Sequence, residues 1–121
     1  MKIAGIIPAR YGSTRFPGKP LTLIKGKTMI RRVYEQVLKA STIDIAIVAT
    51  DDHRIIDEVK SFGGRAVMTS VNHKSGTDRC AEVLENLEDK IDIVINIQGD
   101  EPFIDPGQIN LLANLFQNQM V

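Results

Sequence analysis

A chain of 121 residues, 43% hydrophobic and 25% charged, holds enough apolar material for one compact domain and little more. Lysines and arginines number 15, as do aspartates and glutamates, so the net charge is zero; nothing draws the chain in bulk to nucleic acid or to an acidic membrane, and any electrostatic function must be local. The single cysteine, Cys80, excludes an internal disulfide, and no apolar run has the length of a membrane span or of a signal-peptide core, so the expectation is a soluble cytoplasmic protein.

The first element is Ile3-Ala4-Gly5-Ile6-Ile7, nearly all apolar, as in a central parallel strand covered on both faces. It runs into Pro8-Ala9-Arg10-Tyr11-Gly12-Ser13-Thr14-Arg15-Phe16-Pro17-Gly18-Lys19-Pro20, whose glycines and prolines argue against a regular helix or strand. Leu21-Thr22-Leu23-Ile24 and a turn at Lys25-Gly26-Lys27 lead to Thr28, an N-cap, after which Ile30, Val33, Tyr34, Val37 and Leu38 mark one face of a helix. Ile45-Ala46-Ile47-Val48-Ala49 is a second buried strand. Thr50-Asp51-Asp52 then supplies cap chemistry for a helix whose inward face is Ile55, Ile56, Val59 and Phe62 and which Gly63-Gly64 ends.

Ala66-Val67-Met68 is a short third strand. Beyond a polar stretch, Thr77 or Asp78 caps a helix with Cys80, Val83, Leu84 and Leu87 on one side. Asp92-Ile93-Val94-Ile95-Asn96-Ile97 is the fourth strand, and Asp105-Pro106-Gly107-Gln108 opens a last amphipathic helix carrying Ile109, Leu112 and Phe116. No repeat, linker or low-complexity segment interrupts this order. Strands alternating with helices predict a parallel α/β sheet with right-handed crossovers, its polar loops gathered at the carboxyl ends of the strands.

Arg10, Arg15 and Lys19 crowd the loop after the first strand. A solvated surface loop is one reading. A polyphosphate site is the other, favoured because open α/β sheets bind ligands at this edge, because small residues let backbone N–H groups approach an anion, and because fixed cations suit a triphosphate. The preferred ligand is therefore a nucleoside triphosphate. Neither standard phosphate cradle is present: no Gly-x-Gly-x-x-Gly follows the first strand, Gly12 and Gly18-Lys19 are separated by five residues and followed by Pro20, and Gly26-Lys27-Thr28 has Leu21 where a first glycine belongs.

Gln98-Gly99-Asp100-Glu101-Pro102 follows the fourth strand. Its carboxylates suit Mg²⁺, which takes one or two protein carboxylates beside phosphate oxygens, and they equally suit a capped turn. Ser75-Gly76-Thr77-Asp78-Arg79 is either a well-capped helix start or one that also reads a nucleobase edge or a phosphate. Capping and dipole effects alone explain Asp51-Asp52-His53. His73 and Cys80 fit no zinc pattern and receive no catalytic role.

Taken together, residues 7–20, Val48-Ala49-Thr50-Asp51-Asp52, Met68-Thr69-Ser70 with His73-Lys74-Ser75-Gly76-Thr77-Asp78-Arg79, and Asn96-Ile97-Gln98-Gly99-Asp100-Glu101-Pro102 closely resemble the 3-deoxy-manno-octulosonate (KDO) cytidylyltransferases, also called CMP-KDO synthetases, over essentially the whole chain. The resemblance implies a Rossmann-like α/β nucleotidyltransferase fold of the nucleotide-diphospho-sugar transferase type, mostly parallel with flanking helices, of which residues 1–121 are a truncated N-terminal, nucleotide-binding part. It also implies a Mg²⁺-dependent conversion of CTP and KDO into CMP-KDO and pyrophosphate for lipopolysaccharide synthesis. By the same resemblance Arg10, Lys19 and Asp100 form the catalytic set, with Asp100 the metal ligand. Pro8, Ala9, Arg10, Ser13, Arg15, Lys19, Ser75 and Arg79 match nucleotide-binding positions, and Gln98 matches one near the sugar acid.

Family members are longer, and their second half supplies another metal-binding aspartate, much of the sugar pocket and the interface of a homodimer. The expectation is that the 121-residue chain alone binds nucleotide weakly and turns over slowly or not at all. A relative activating another sugar acid, such as sialic acid or an amino-KDO, and a nucleotide-binding module without catalysis are the alternatives. The enzyme readings require the cations of the first loop and Asp100 to converge on one triphosphate.

Overall fold

A computed structural model describes residues 2–12, 17–70, 76–87, 90–99 and 102–119, with the backbone alone at 76, 77, 86 and 116–119. Among these, strands β1 (Ile3–Ala9), β4 (Ile45–Thr50), β5 (Ala66–Met68) and β6 (Ile93–Asn96) form a sheet in the order β5-β4-β1-β6, every pair parallel. Helices α1 (Met29–Leu38), α2 (His53–Ser61), α3 (Gly76–Asn86) and α4 (Pro106–Gln119) alternate with the strands. This is the fold class the alternation predicts.

Two apolar clusters show why β1 is nearly continuous in apolar residues. Ile3, Ile7 and Ala9 point into a core built with Ile30, Val33 and Val37 of α1, Ile55 and Val59 of α2, and Ile109 and Ala113 of α4. Ala4 and Ile6, on the opposite face, meet Cys80 and Val83 of α3. A strand buried on both faces has no polar side to show. Its start is held from both flanks, where Asp92 accepts the Lys2 N–H at 2.7 Å and Asp44 accepts the Ile3 N–H at 2.7 Å.

β1 is two residues longer than its apolar run and includes Pro8. The Ile6 carbonyl accepts from Ile97 N–H at 2.9 Å on the β6 side. Pro8 therefore turns its donorless nitrogen to that same side, beyond the last β6 residue paired with β1, where no ladder bond is lost.

Between β1 and α1, β2 (Leu23–Ile24) and β3 (Lys27–Thr28) make a small antiparallel hairpin about Lys25 (φ 50°) and Gly26 (φ 84°). Thr28 caps α1 as expected, accepting from Arg31 N–H at 3.3 Å, and also donates to Glu58 of α2 at 2.7 Å. Leu38 departs from expectation: it is 58% exposed, because at about 80° around the helix from Ile30 it lies past the edge of the buried stripe.

Asp52 caps α2, which closes with Gly64 N–H on the Val59 carbonyl and Gly63 N–H on the Lys60 carbonyl. α3 begins at Gly76, so Thr77 and Asp78 lie inside its first turn instead of capping it. In α4, Ile109 and Ala113 are buried whereas Leu112 is 42% exposed; the Phe116 side chain lies outside the described residues. Among the described residues no helix is long and apolar enough to cross a membrane.

Candidate functional site

After β1 the chain builds the β4 and β5 side of the sheet, then crosses by α3 to place β6 on the other side of β1. The strand order thus reverses between β1 and β6, and in such sheets a crevice opens there at the carboxyl ends. Ala9, Thr50 and Met68 are level in register, so the segments leaving β1, β4 and β5 emerge along one edge.

Gly99 brings the segment after β6 to the same place. A side chain at 99 would set its first carbon 2.9 Å from the Pro8 carbonyl oxygen and 3.7 Å from Ala9 Cβ, so only glycine lets the chain pass this close to the end of β1. Pro8, Ala9, Arg10 and Gln98 therefore share the switch point, with Arg10 and Gln98 both exposed. Asp100 itself lies outside the described residues, as do Ser13, Arg15 and Ser75.

Arg10 and Lys19 flank the neck of the basic loop. Gly18 N–H donates to the Tyr11 carbonyl at 2.7 Å, closing the loop between the two residues that adjoin the cations. Gly18 holds φ 74°, and a Cβ there would lie 3.0 Å from the Tyr11 ring, so the closure requires glycine twice over. The Arg10 guanidinium turns back to the Gly12 carbonyl at 3.1 Å. Lys19 opens a 3₁₀ turn, Lys19–Leu21, and is half-buried.

Tyr11 is pinned from outside the loop. The Arg54 guanidinium carbon lies 3.2 Å from the centroid of its ring. Arg54 is in turn gripped by Asp52, Nε to Oδ1 at 3.0 Å and Nη2 to Oδ2 at 2.7 Å, while Asp52 Oδ1 also accepts Arg54 N–H at 2.8 Å. The Arg54 hydrogen bonds hold the Asp52 carboxyl below its ordinary range. Capping thus accounts for half of what Asp52 does. The pairing with Arg54 was legible two residues along the chain, but nothing in the sequence ties it to Tyr11.

Arg79 is only 1% exposed. Its Nη1 donates to Thr69 Oγ1 and, at 3.2 Å, to the Ser70 carbonyl, and its Nη2 lies 3.4 Å from Asp51 Oδ2. Glu82, one turn further along α3, accepts the Ser70 N–H at 3.1 Å. One face of α3 therefore holds both backbone groups of Ser70 and ties the ends of β4 and β5 together. Glu82 is absent from the sequence reading, since a glutamate on a helix surface carries no signal of its target. Burial pushes the neighbouring Cys80 thiol up to about 11, against the opposing pull of Arg79, and so keeps it protonated at neutral pH. Among the described residues no group of three or more His, Cys, Asp or Glu gathers to hold a metal.

A profile of the cytidylyltransferase family matches residues 4–121. The chain is 59% identical over 118 residues to 3-deoxy-manno-octulosonate cytidylyltransferase of Bacteroides thetaiotaomicron, covering 98% of this chain and 46% of that protein. It is 59% identical over 110 residues to the protein of the same name from Trichlorobacter lovleyi, covering 91% and 43%. Its fold is similar to that of CMP:2-keto-3-deoxy-manno-octonic acid synthetase complexed with CTP, with a TM-score of 0.93 and 48% identity over 98% of this chain and 48% of that one. A cytidylyltransferase from Leptospira borgpetersenii follows at TM-score 0.84 and 27% identity, covering 98% and 50%. The chain spans about half the length of the curated relatives it matches.

Proposed function

Because the chain belongs to the cytidylyltransferase family, we propose that it is the nucleotide-binding part of an enzyme that transfers CMP from CTP to KDO and releases pyrophosphate. The observation that carries the reading is the approach of Gly99 to Pro8 and Ala9, which puts the exit of β6 against the root of the loop bearing Arg10 and Lys19. The anomeric hydroxyl oxygen of the sugar acid attacks the α-phosphorus in line, the bond to the pyrophosphate oxygen breaks, and the hydroxyl proton passes to solvent. No protein nucleophile is needed, so positioning and charge neutralisation carry the catalysis.

Arg10 and Lys19 stabilise the charge that accumulates on the departing pyrophosphate. Pro8 and Ala9 line the nucleotide's approach at the end of β1, with Ser13, Arg15 and Ser75 proposed as further nucleotide contacts and Gln98 as the contact to the sugar acid. Arg79 serves the nucleotide by fixing Ser70, from which the chain continues toward Ser75. Mg²⁺ is the proposed cofactor: one carboxylate, Asp100, beside triphosphate oxygens is a donor set that suits it, and the ion supplies charge neutralisation when bound. The resemblance supports a homodimer as the working form of the complete protein, in the cytoplasm, serving lipopolysaccharide synthesis.

Calorimetric titration of the 121-residue chain with CTP tests the reading. Weak binding that requires Mg²⁺ and is lost in Asp100→Ala and Lys19→Ala is expected, with little or no pyrophosphate release on adding KDO. Binding indifferent to Mg²⁺, to Asp100→Ala and to Arg10→Ala would overturn it in favour of a non-catalytic module.

A further inference from the structure

The contact between Tyr11 and Arg54 joins two segments that share no element. Tyr11 belongs to the loop after β1, whereas Arg54 stands on the first turn of α2, beyond β4. The side chain of Arg54 is 58% exposed, so burial does not dictate where its head rests. Asp52 does: two parallel N–H···O bonds to one carboxylate fix the plane of the guanidinium as well as its position. A planar cation set at 3.2 Å from the ring centroid offers the Tyr11 ring a seat that a mobile point charge would not. The other side of the arrangement is equally specified. Gly18 packs against that ring, and its N–H is bonded to the Tyr11 carbonyl, so holding Tyr11 holds both strands of the loop's neck.

We infer that Asp52, Arg54 and Tyr11 form a latch that holds the neck of the basic loop against the start of α2, making Arg54 a positioning residue for Arg10 and Lys19. Arg54 acts through Tyr11 and needs no contact with a ligand. The loop's root is covalently continuous with β1, and this stack ties its neck to the neighbouring crossover. The effect on nucleotide rests on the function proposed above; the closure of the neck does not.

Two readouts separate these claims. The first is native-state trypsin cleavage of the Arg10–Tyr11 bond, followed by mass spectrometry, together with the ring-current shift that Tyr11 imposes on the Arg54 side-chain protons in NMR spectra. Arg54→Ala and Tyr11→Leu should each speed that cleavage by roughly two- to fivefold, the scale of a solvent-exposed cation–ring contact. Tyr11→Phe, which keeps the ring, should restore protection and the shift. Asp52→Ser keeps an oxygen to cap α2 while removing the fork's partner, so it should open the neck with the thermal midpoint nearly unchanged. Should Arg54→Ala fail to fold, Tyr11→Leu carries the test, because it leaves α2 untouched.

The second readout is CTP affinity with Mg²⁺, expected to fall by roughly two- to fivefold in Arg54→Ala and Asp52→Ser and to be only partly recovered by Arg54→Lys, which lacks the planar fork. Folded variants that cleave at Arg10 no faster than the parent overturn the latch. Variants that cleave faster, beside a parent chain that binds no CTP, leave the latch standing and remove the function instead.

Discussion

Arg10 and Arg79 stand near the same edge of one sheet and come from motifs of similar composition, basic residues among glycine, serine and threonine. Their surroundings are opposite. Arg10 leaves the end of β1 into solvent, and among the described residues its guanidinium bonds back to the Gly12 carbonyl. Arg79 is enclosed by Thr69, Ser70 and Asp51. Among the described residues, the first guanidinium keeps donors for a ligand; the second has given them to the protein. A positive residue near a phosphate site can therefore work by contact or by construction, and the two are told apart by where the N–H groups go.

The largest expected effect breaks that comparison if it fails. Arg79→Ala should destabilise the chain by about 3 kcal/mol in urea unfolding, because Thr69 Oγ1, the Ser70 carbonyl and Asp51 lose a common donor in a closed space. Arg10→Ala should change stability by less than about 0.5 kcal/mol, as surface substitutions do, while removing Mg²⁺-dependent CTP binding. If Arg79→Ala melts like the parent and only CTP binding suffers, Arg79 is a ligand residue after all.

Gly99→Ala sharpens the comparison from the β6 side. A methyl group there meets a backbone oxygen at 2.9 Å, and a backbone carbonyl within a sheet cannot swing aside as a long side chain can. The cost should be about 1–3 kcal/mol, the range for overpacking, with the displacement concentrated where β6 leaves the sheet. CTP binding should weaken more than that of a surface control. A Gly99→Ala chain with parental stability and parental CTP binding would mean that the two segments need not lie so close.

How much of this the sequence disclosed follows the range of the forces involved. The strands, the caps at Thr28, Asp52 and Asp105, and the end of α2 depend on neighbours a few residues away, and the structure bears them out. Leu38 and Leu112 went wrong because a helical period locates a stripe but not its width, which is set by whatever packs across it. The meeting of Pro8 with Gly99 was implicit in the rule that ligands bind where strand order reverses, yet the order itself is a tertiary fact. The seat of Arg79 and the stack of Arg54 on Tyr11 were illegible: each draws a residue from another crossover, Asp51 in the first and Tyr11 in the second, and a polar side chain in the sequence does not announce which group or ring it will reach.

The smallest effect concerns the latch and acid. The hydrogen bonds from Arg54 hold the Asp52 carboxyl below its ordinary value of 3.8, so the folded chain binds that proton less readily than the unfolded one. Its contribution is therefore fully present above the unfolded value and is lost as pH falls through the lower, folded one. The window opens just below pH 4 and continues downward; at neutral pH no change is expected. Because Arg54 is exposed, water and salt screen the pair, and the slope it adds to stability in this window should be shallow. Comparing acid unfolding of the parent with Asp52→Asn isolates it, since asparagine still caps α2 but has no proton to take up. The two curves should run parallel above about pH 5 and converge as pH falls below about 4, with 1 M salt reducing the difference. Curves that stay parallel down to the lowest pH would show that the Asp52 carboxylate gains nothing from Arg54, and the stack on Tyr11 would then have to be held by the ring alone.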